Sequence, residues 1–144
     1  MTACVLDASV ALAWHFGDEA SSDDYKVLDR VQVDGAIVPA IWPLEVTNGL
    51  VVAERRGRVT AVDVALSVQA LLDLPIAIEN LTIEASFGSA VDLARALHLS
   101  AYDASYLALA MREGVPLATR DDKLRVAAER VGVPLFNPDQ QESA

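Results

Sequence analysis

Four carboxylates stand where the chain changes from one element to the next: Asp7, Glu45, Asp103 and Asp121. Asp7 ends the apolar run Cys4-Val5-Leu6 and is followed at once by the small residues Ala8 and Ser9. Asp121 follows Leu117-Ala118 through Thr119-Arg120, Glu45 comes two residues after Pro43, and Asp103 is the lone charge before Arg112 in a stretch apolar nearly all round. Within a few Å of one another, such groups repel strongly at reduced dielectric, and protonation or a bound cation must relieve the strain. A donor set of carboxylate oxygens, with no histidine or cysteine, favours Mg²⁺ or Mn²⁺ over zinc. Magnesium held by one or two carboxylates keeps its remaining waters and is equipped to activate water and to neutralise a phosphate at once. Each acid also has a purely structural reading. Asp7 and Asp121 suit helix N-caps, Asp103 suits a capping box opened by Ser100, and Glu45 suits a helix dipole.

The elements between these residues decide whether they meet. Cys4-Val5-Leu6, Ala36-Ile37-Val38, Ile76-Ala77-Ile78, Leu117-Ala118 and Leu135-Phe136 read as five short strands, the first buried on both faces. Helical patterns separate them. A short helix over 8–16 ends at Gly17, and the acidic stretch 18–24 leads into a second with Tyr25, Leu28 and Val31 on one face. Pro43 opens a helix that Gly57 closes, and Thr60 with Asp63 makes a capping box for the next. Thr82 caps an amphipathic helix whose inward face is expected to be Ile83, Phe87, Ala90, Val91, Ala94 and Leu97. Gly114-Val115-Pro116-Leu117 and Gly132-Val133-Pro134-Leu135 each read as helix stop, turn and strand start. Strands alternating with helices imply an α/β fold: a parallel sheet covered on both sides, three layers α/β/α, with right-handed crossovers. In such a sheet the carboxyl edge gathers Asp7, Glu45, Asp103 and Asp121 into one crevice. A single domain over 1–137 is expected, with a polar, frayed tail at 138–144.

Composition narrows the class. A 53% hydrophobic chain is rich for a globular protein, yet charges and prolines interrupt every apolar run before a membrane span is reached, so no membrane role is expected. The N-terminus enters the first strand without a basic segment ahead of an apolar run, and a cytoplasmic location is the expectation. One cysteine, Cys4, cannot form an internal disulfide or a cysteine-rich zinc site and reads as packing. With 21 acids against 11 bases the net charge is −10, which argues against broad attraction to a phosphate backbone. Contacts to a nucleic acid must then come from a limited set such as Arg55, Arg56, Arg58, Arg120 and Lys123. His15 and His98 fit neither a metal cluster nor a nucleophile pair. Trp14, Trp42, Tyr25 and Tyr106 read as packing. The helices over 43–57 and 60–73 carry more apolar residues than one buried face needs, so a partner is expected to cover the remainder.

Val5-Leu6-Asp7-Ala8-Ser9, Glu45 with Asn48 one turn on, Leu99-Ser100-Ala101-Tyr102-Asp103-Ala104-Ser105-Tyr106 and Leu117-Ala118-Thr119-Arg120-Asp121-Asp122-Lys123-Leu124 resemble, in order, the four signature segments of PIN-domain nucleases. The resemblance spans essentially the whole chain. Its size and the Leu-x-x-Tyr-Asp-Ala-x-Tyr segment are similar to VapC toxins of type II toxin-antitoxin systems. The resemblance implies a magnesium-dependent endoribonuclease with a five-stranded sheet of order 3-2-1-4-5, a homodimer, and a cognate VapB-like antitoxin that blocks the site. It also implies that Asp7, Glu45, Asp103 and Asp121 form the catalytic acidic quartet, supported by Ser9, Asn48 and Thr119. Asp7, Asp103 and Asp121 are the expected metal ligands. Asp122 is the alternative to Asp121, and the Thr-x-Asp spacing favours Asp121.

Other readings of an acidic α/β domain fit less well. A receiver-type phospho-acceptor domain needs a lysine at the end of a late strand, and the two lysines, Lys26 and Lys123, are elsewhere. A haloacid-dehalogenase-type phosphatase needs a second acid two residues after the first, where this chain has Ser9. A silent binding module would have lost one or more of the four acids, and all are present. A PIN nuclease with an RNA-processing role outside toxin-antitoxin systems remains the alternative.

Overall fold

In a computed structural model, which describes residues 2–139, the chain runs β1 (Cys4–Leu6), α1 (Ala8–His15), α2 (Ser22–Asp34), β2 (Ala36–Val38), α3 (Trp42–Arg55), α4 (Ala61–Leu72), β3 (Ile76–Ile78), α5 (Ile83–Leu97), α6 (Ala101–Glu113), β4 (Leu117–Ala118) and α7 (Asp122–Arg130). The strands form one parallel sheet of order β3-β2-β1-β4 between layers of helix. β1 lies inside, paired through Val5 with Ile37 on one side and with Leu117 on the other. That position explains its composition. Cys4, Val5 and Leu6 are wholly buried, because a parallel strand covered on both faces has no solvent side for a polar residue. Burial pushes the Cys4 thiol up to about 12, which leaves it inert and fits its reading as packing.

Among the described residues the sheet has four strands, not five. Leu135 makes a single parallel bridge to Leu117, on the side of β4 away from β1, which is where a fifth strand would lie. Pro134 has no N–H to give and accepts from Leu117 through its carbonyl at 2.9 Å, and Phe136 donates back to the Leu117 carbonyl at 2.8 Å. Asn137 and Pro138 then end the ladder after one bridge. The start of the polar tail is tied down as well: Lys26 donates to Asp139 at 2.9 Å, and Asp139 donates its N–H to the Asn137 side chain. The rest of the expected tail lies outside the described residues.

The caps follow the sequence closely. Thr60 and Asp63 close their capping box at the start of α4, and Thr82 and Ser100 cap α5 and α6. Ser21 and Asp24 form a second complete box at the start of α2, where the acids had suggested only a favourable helix dipole. Two packing expectations fail. Tyr25 is exposed, Val27 taking the core position beside Val31. On α5 the stripe Ile83, Phe87 and Val91 faces outward at 73%, 67% and 44% exposure, and no α5 residue is buried. Apolar residues on α3 and α4, among them Leu44, Val62, Leu66 and Leu72, are exposed too, as the surplus there implied. Among the described residues no helix is long and apolar enough to cross a membrane.

Gly35 makes the α2-to-β2 turn possible. It adopts φ 80° and ψ 176°, a region that only glycine enters at low cost, and a Cβ there would lie 2.7 Å from the Pro75 carbonyl oxygen. That same oxygen accepts the Ala36 N–H at 3.1 Å, so it cannot move aside without loosening β2 from the chain entering β3. Gly114 is also left-handed, with open space around it. Gly35→Ala should therefore destabilise by about 3 kcal/mol and Gly114→Ala by about 1 kcal/mol. Urea midpoints compare the two, and equal losses would show that the Pro75 contact carries no weight.

Candidate active site

The carboxyl edge of the sheet is built around Asp7. Its own N–H donates to the Ala118 carbonyl at 2.9 Å, which fixes the exit of β1 against that of β4. Its side chain makes no capping bond to α1. Instead Oδ2 accepts from the hydroxyls of Ser9 and Thr119, each at 2.7 Å. Both hydroxyls are used twice: Ser9 Oγ accepts the Arg120 N–H at 3.1 Å, and Thr119 Oγ1 accepts the Asp121 N–H at 3.1 Å. Two short side chains thus join Asp7 to the backbone that carries Asp121. Arg125 completes the clasp, donating from α7 to the Thr119 carbonyl at 3.1 Å.

The remaining acids arrive from helix starts. Glu45 lies in the first turn of α3 and Asp103 in the first turn of α6, while Asp121 is the N-cap of α7 and accepts the Leu124 N–H at 3.1 Å. The capping reading of Asp121 is therefore correct, and it does not compete with a place in the cluster. The acids feel one another. Burial raises the Asp7 carboxyl most; the Thr119 and Ser9 hydroxyls pull it back, and the charge of Asp121 raises it again. Glu45 is raised by burial, restrained by a hydrogen bond, then raised by Asp7 and Asp103. Asp103 is raised by burial and then by Asp121 and Asp7, with Lys123 opposing. Asp121, not Asp122, is the acid whose charge reaches Asp7 and Asp103. Asn48 is exposed one turn beyond Glu45, and no described hydrogen bond joins it to the cluster.

Tyr106, which the sequence assigns to packing alone, has a polar task as well. Fully buried, it donates its phenolic O–H to Glu45 Oε1 at 2.6 Å. Burial, followed by that bond, raises the phenol's own ionisation far out of reach, so it stays a neutral donor. The signal was available: Tyr106 follows Asp103 by three positions, which puts both on one helical face, and a buried tyrosine hydroxyl needs a partner. Two of the expected cationic contacts are engaged elsewhere. Arg58 pairs with Asp18 and Glu19 and lies over the Phe16 ring, and Arg120 donates to the Glu19 carbonyl at 2.9 Å with Asp24 beside it.

Among the described residues no three donors are close enough together to enclose an ion. The site is an open sheet edge carrying separate carboxylates, from buried Asp7 to exposed Asp121, a form that suits a cation keeping several of its waters.

The family model for the PIN domain matches residues 4–130. The chain belongs to the PIN domain family. Solved structures with the same fold include PAE2754 from Pyrobaculum aerophilum, at 22% identity and a TM-score of 0.66, covering 88% of this chain and 86% of that one. FitAcB from Neisseria gonorrhoeae is 18% identical with a TM-score of 0.62, covering 94% and 97%. VapC20 of Mycobacterium tuberculosis, a toxin that cleaves the sarcin-ricin loop, is 15% identical with a TM-score of 0.61, covering 86% and 94%. At these identities the likeness is one of fold. Among curated proteins none matches the sequence.

The raised carboxylates have a consequence for stability. A group whose native pKa exceeds its unfolded value binds more protons in the folded state, so its contribution is full below the ordinary carboxylate range and is lost as pH rises through the shifted value. Asp7, Glu45 and Asp103 all act in this direction. Asp103→Asn should raise the melting temperature of metal-free protein at pH 7.5 by about 3 °C, the size of a ~1 kcal/mol effect in a domain of this length. At pH 4 it should change little. Thermal melts in EDTA at the two pH values check this, and a loss at pH 7.5 would contradict it.

Proposed function

We propose that this PIN domain is a metal-dependent endoribonuclease and the toxin of a type II toxin-antitoxin pair. The observation that carries the reading is the convergence of Asp7, Glu45, Asp103 and Asp121 at the carboxyl edge, three of them with carboxyls raised by burial and by one another's charge, and none in an ion pair among the described residues. Asp7, Asp103 and Asp121 would hold Mg²⁺, with Mn²⁺ as a substitute. The donor chemistry fits, since oxygen ligands at an open edge suit a hard cation that retains water. When bound, the ion supplies charge for the phosphodiester and the means of activating water for hydrolysis. The chain's own part is positioning. Ser9 and Thr119 fix Asp7, Tyr106 fixes Glu45, and the N-caps of α6 and α7 bring Asp103 and Asp121 to the same edge.

The toxin assignment draws support from the shared fold of VapC20 and FitAcB, together with the apolar surface left exposed on α3, α4 and α5. A second copy of the chain and a VapB-like antitoxin are the proposed occupants, in the cytoplasm where the RNA is found. A net charge of −10 falls only to −8 with one divalent ion, since −10 plus 2 leaves −8, and general attraction to RNA stays weak. The proposed substrate is therefore one structured RNA, a tRNA or rRNA loop, recognised by shape and an exposed single-stranded site.

Asp7→Ala and Asp103→Ala should each lower RNA cleavage by about a thousandfold with the fold intact, within the range for loss of a proton-transferring or charge-bearing group. Excess EDTA should abolish wild-type cleavage and Mg²⁺ restore it; cleavage that persists in EDTA would refute the metal requirement. Mapping new 5′ ends across the transcriptome after expression, with Asp7→Ala as control, tests specificity. Discrete cuts in one or a few stable RNAs are expected. Random fragmentation would overturn the specificity, and identical maps for wild type and variant would overturn the nuclease.

A further inference from the structure

An acidic protein that handles a polyanion needs a cation at the point of contact, and the structure leaves few. Lys26 pairs with Asp139, Arg58 with Asp18 and Glu19, Arg112 with Glu79, and Arg120 with Asp24. Arg55 and Arg56 lie at the end of α3, ten and eleven residues beyond Glu45, which at 1.5 Å per residue is about 15 Å or more from the acids. Arg30 pairs with Asp34, Arg125 is engaged by the Thr119 carbonyl, and Arg130 is at the opposite end of α7 from Asp121. Arg95, exposed near the end of α5, is not among the charges that act on Asp7, Glu45 or Asp103. Lys123 is different. It is exposed, two residues from Asp121 in the first turn of α7, and no described hydrogen bond or ion pair engages it. Its charge is the one cationic influence on Asp103.

Helix stability does not explain that placement. The N-terminus of a helix carries partial positive charge, so a lysine in the first turn works against the dipole where Asp or Glu would work with it. The side chain buries little, caps nothing and is not held by a neighbour. What its position does provide is an exposed ammonium two residues from Asp121 and near enough for its charge to act on Asp103, beside the groups that would otherwise repel an approaching phosphate. A lysine suits this task as a flexible point charge with three donors.

We propose that Lys123 is the substrate-binding cation of this site, its ammonium contacting a non-bridging oxygen of an RNA phosphate at the carboxylate cluster. The inference rests on the nuclease reading above. It adds a division of labour: the carboxylates serve the metal and the reaction, and Lys123 admits the polyanion.

The test compares wild type with Lys123→Gln and Lys123→Arg. Lys123→Gln should melt no lower than wild type, raise KM for RNA about tenfold and leave kcat within about twofold, while Lys123→Arg keeps the wild-type KM. Binding of a single-stranded oligoribonucleotide, measured in the Asp7→Asn background, should lose about 0.7 from its slope against log salt, the share of one phosphate contact on a single strand. Removing a positive charge beside the acids should at the same time tighten Mn²⁺ binding to the RNA-free protein. A merely structural lysine would not move RNA and metal in opposite directions. An unchanged KM and salt slope in Lys123→Gln, or weaker Mn²⁺ binding, overturns the proposal while the nuclease reading stands. A wild type that cuts no RNA overturns that reading and the proposal with it, the Mn²⁺ titration showing separately whether the acids still hold a metal.

Discussion

The repulsion among four carboxylates at one sheet edge is the constraint on which this structure turns. Left to themselves, such groups would swing into solvent. Here each is held by a different device, and the devices come from different parts of the chain: hydroxyls from the α1 start and the β4 exit for Asp7, a buried phenol for Glu45, helix starts for Asp103 and Asp121. The hydrophobic core pays for the arrangement. β1, wholly buried between β2 and β4, is the rigid member from which Asp7 projects, and the N–H of Asp7 continues its ladder to Ala118.

How much of this could be read from the chain depends on how local each determinant is. Asp7, Glu45, Asp103 and Asp121 were legible because each marks a boundary between elements, and boundaries are written in neighbouring residues: Pro43 ahead of Glu45, Ser100 ahead of Asp103, Thr119 ahead of Asp121. Boundaries also set the strand sequence, and a parallel sheet then brings those ends to one edge with no further information. The same Thr-x-Asp spacing favours Asp121 over Asp122, and it is the charge of Asp121 that acts on Asp7 and Asp103. Tyr106 was not legible in this way, since its partner Glu45 is 61 positions away and only the packing of α6 on the core brings them together.

The failures have the same origin. Helical periodicity on α5 identified residues that favour burial, but periodicity says nothing about which surface buries them; the stripe Ile83, Phe87 and Val91 faces outward from this chain. Leu135-Phe136 has strand composition and lies beside β4 as expected, yet a strand also needs length, and Pro134 before it with Pro138 after it leaves room for one bridge. Arg58 and Arg120 stand in the sequence as candidate nucleic-acid contacts because their acidic partners Asp18, Glu19 and Asp24 lie far away along the chain.

Why hydroxyls, and not cations, hold Asp7 is the last point the geometry explains. An arginine or lysine paired with Asp7 would fix its position and lower its pKa, but it would also neutralise the charge and compete with any metal ion for the same oxygens. Ser9 and Thr119 fix the position with two bonds of 2.7 Å while leaving the negative charge in place, and burial keeps the carboxyl raised despite them. Arg120 shows the same separation by contrast. Its backbone stands between Thr119 and Asp121 and donates to Ser9, yet its guanidinium is directed to Glu19 and Asp24, where a partly buried pair holds it. An arginine free to turn toward the cluster from that position would quench it. The pair with Asp24 thus turns the Arg120 guanidinium away from the acids, and carboxylates left without an ion-pair partner are what give a divalent cation reason to bind.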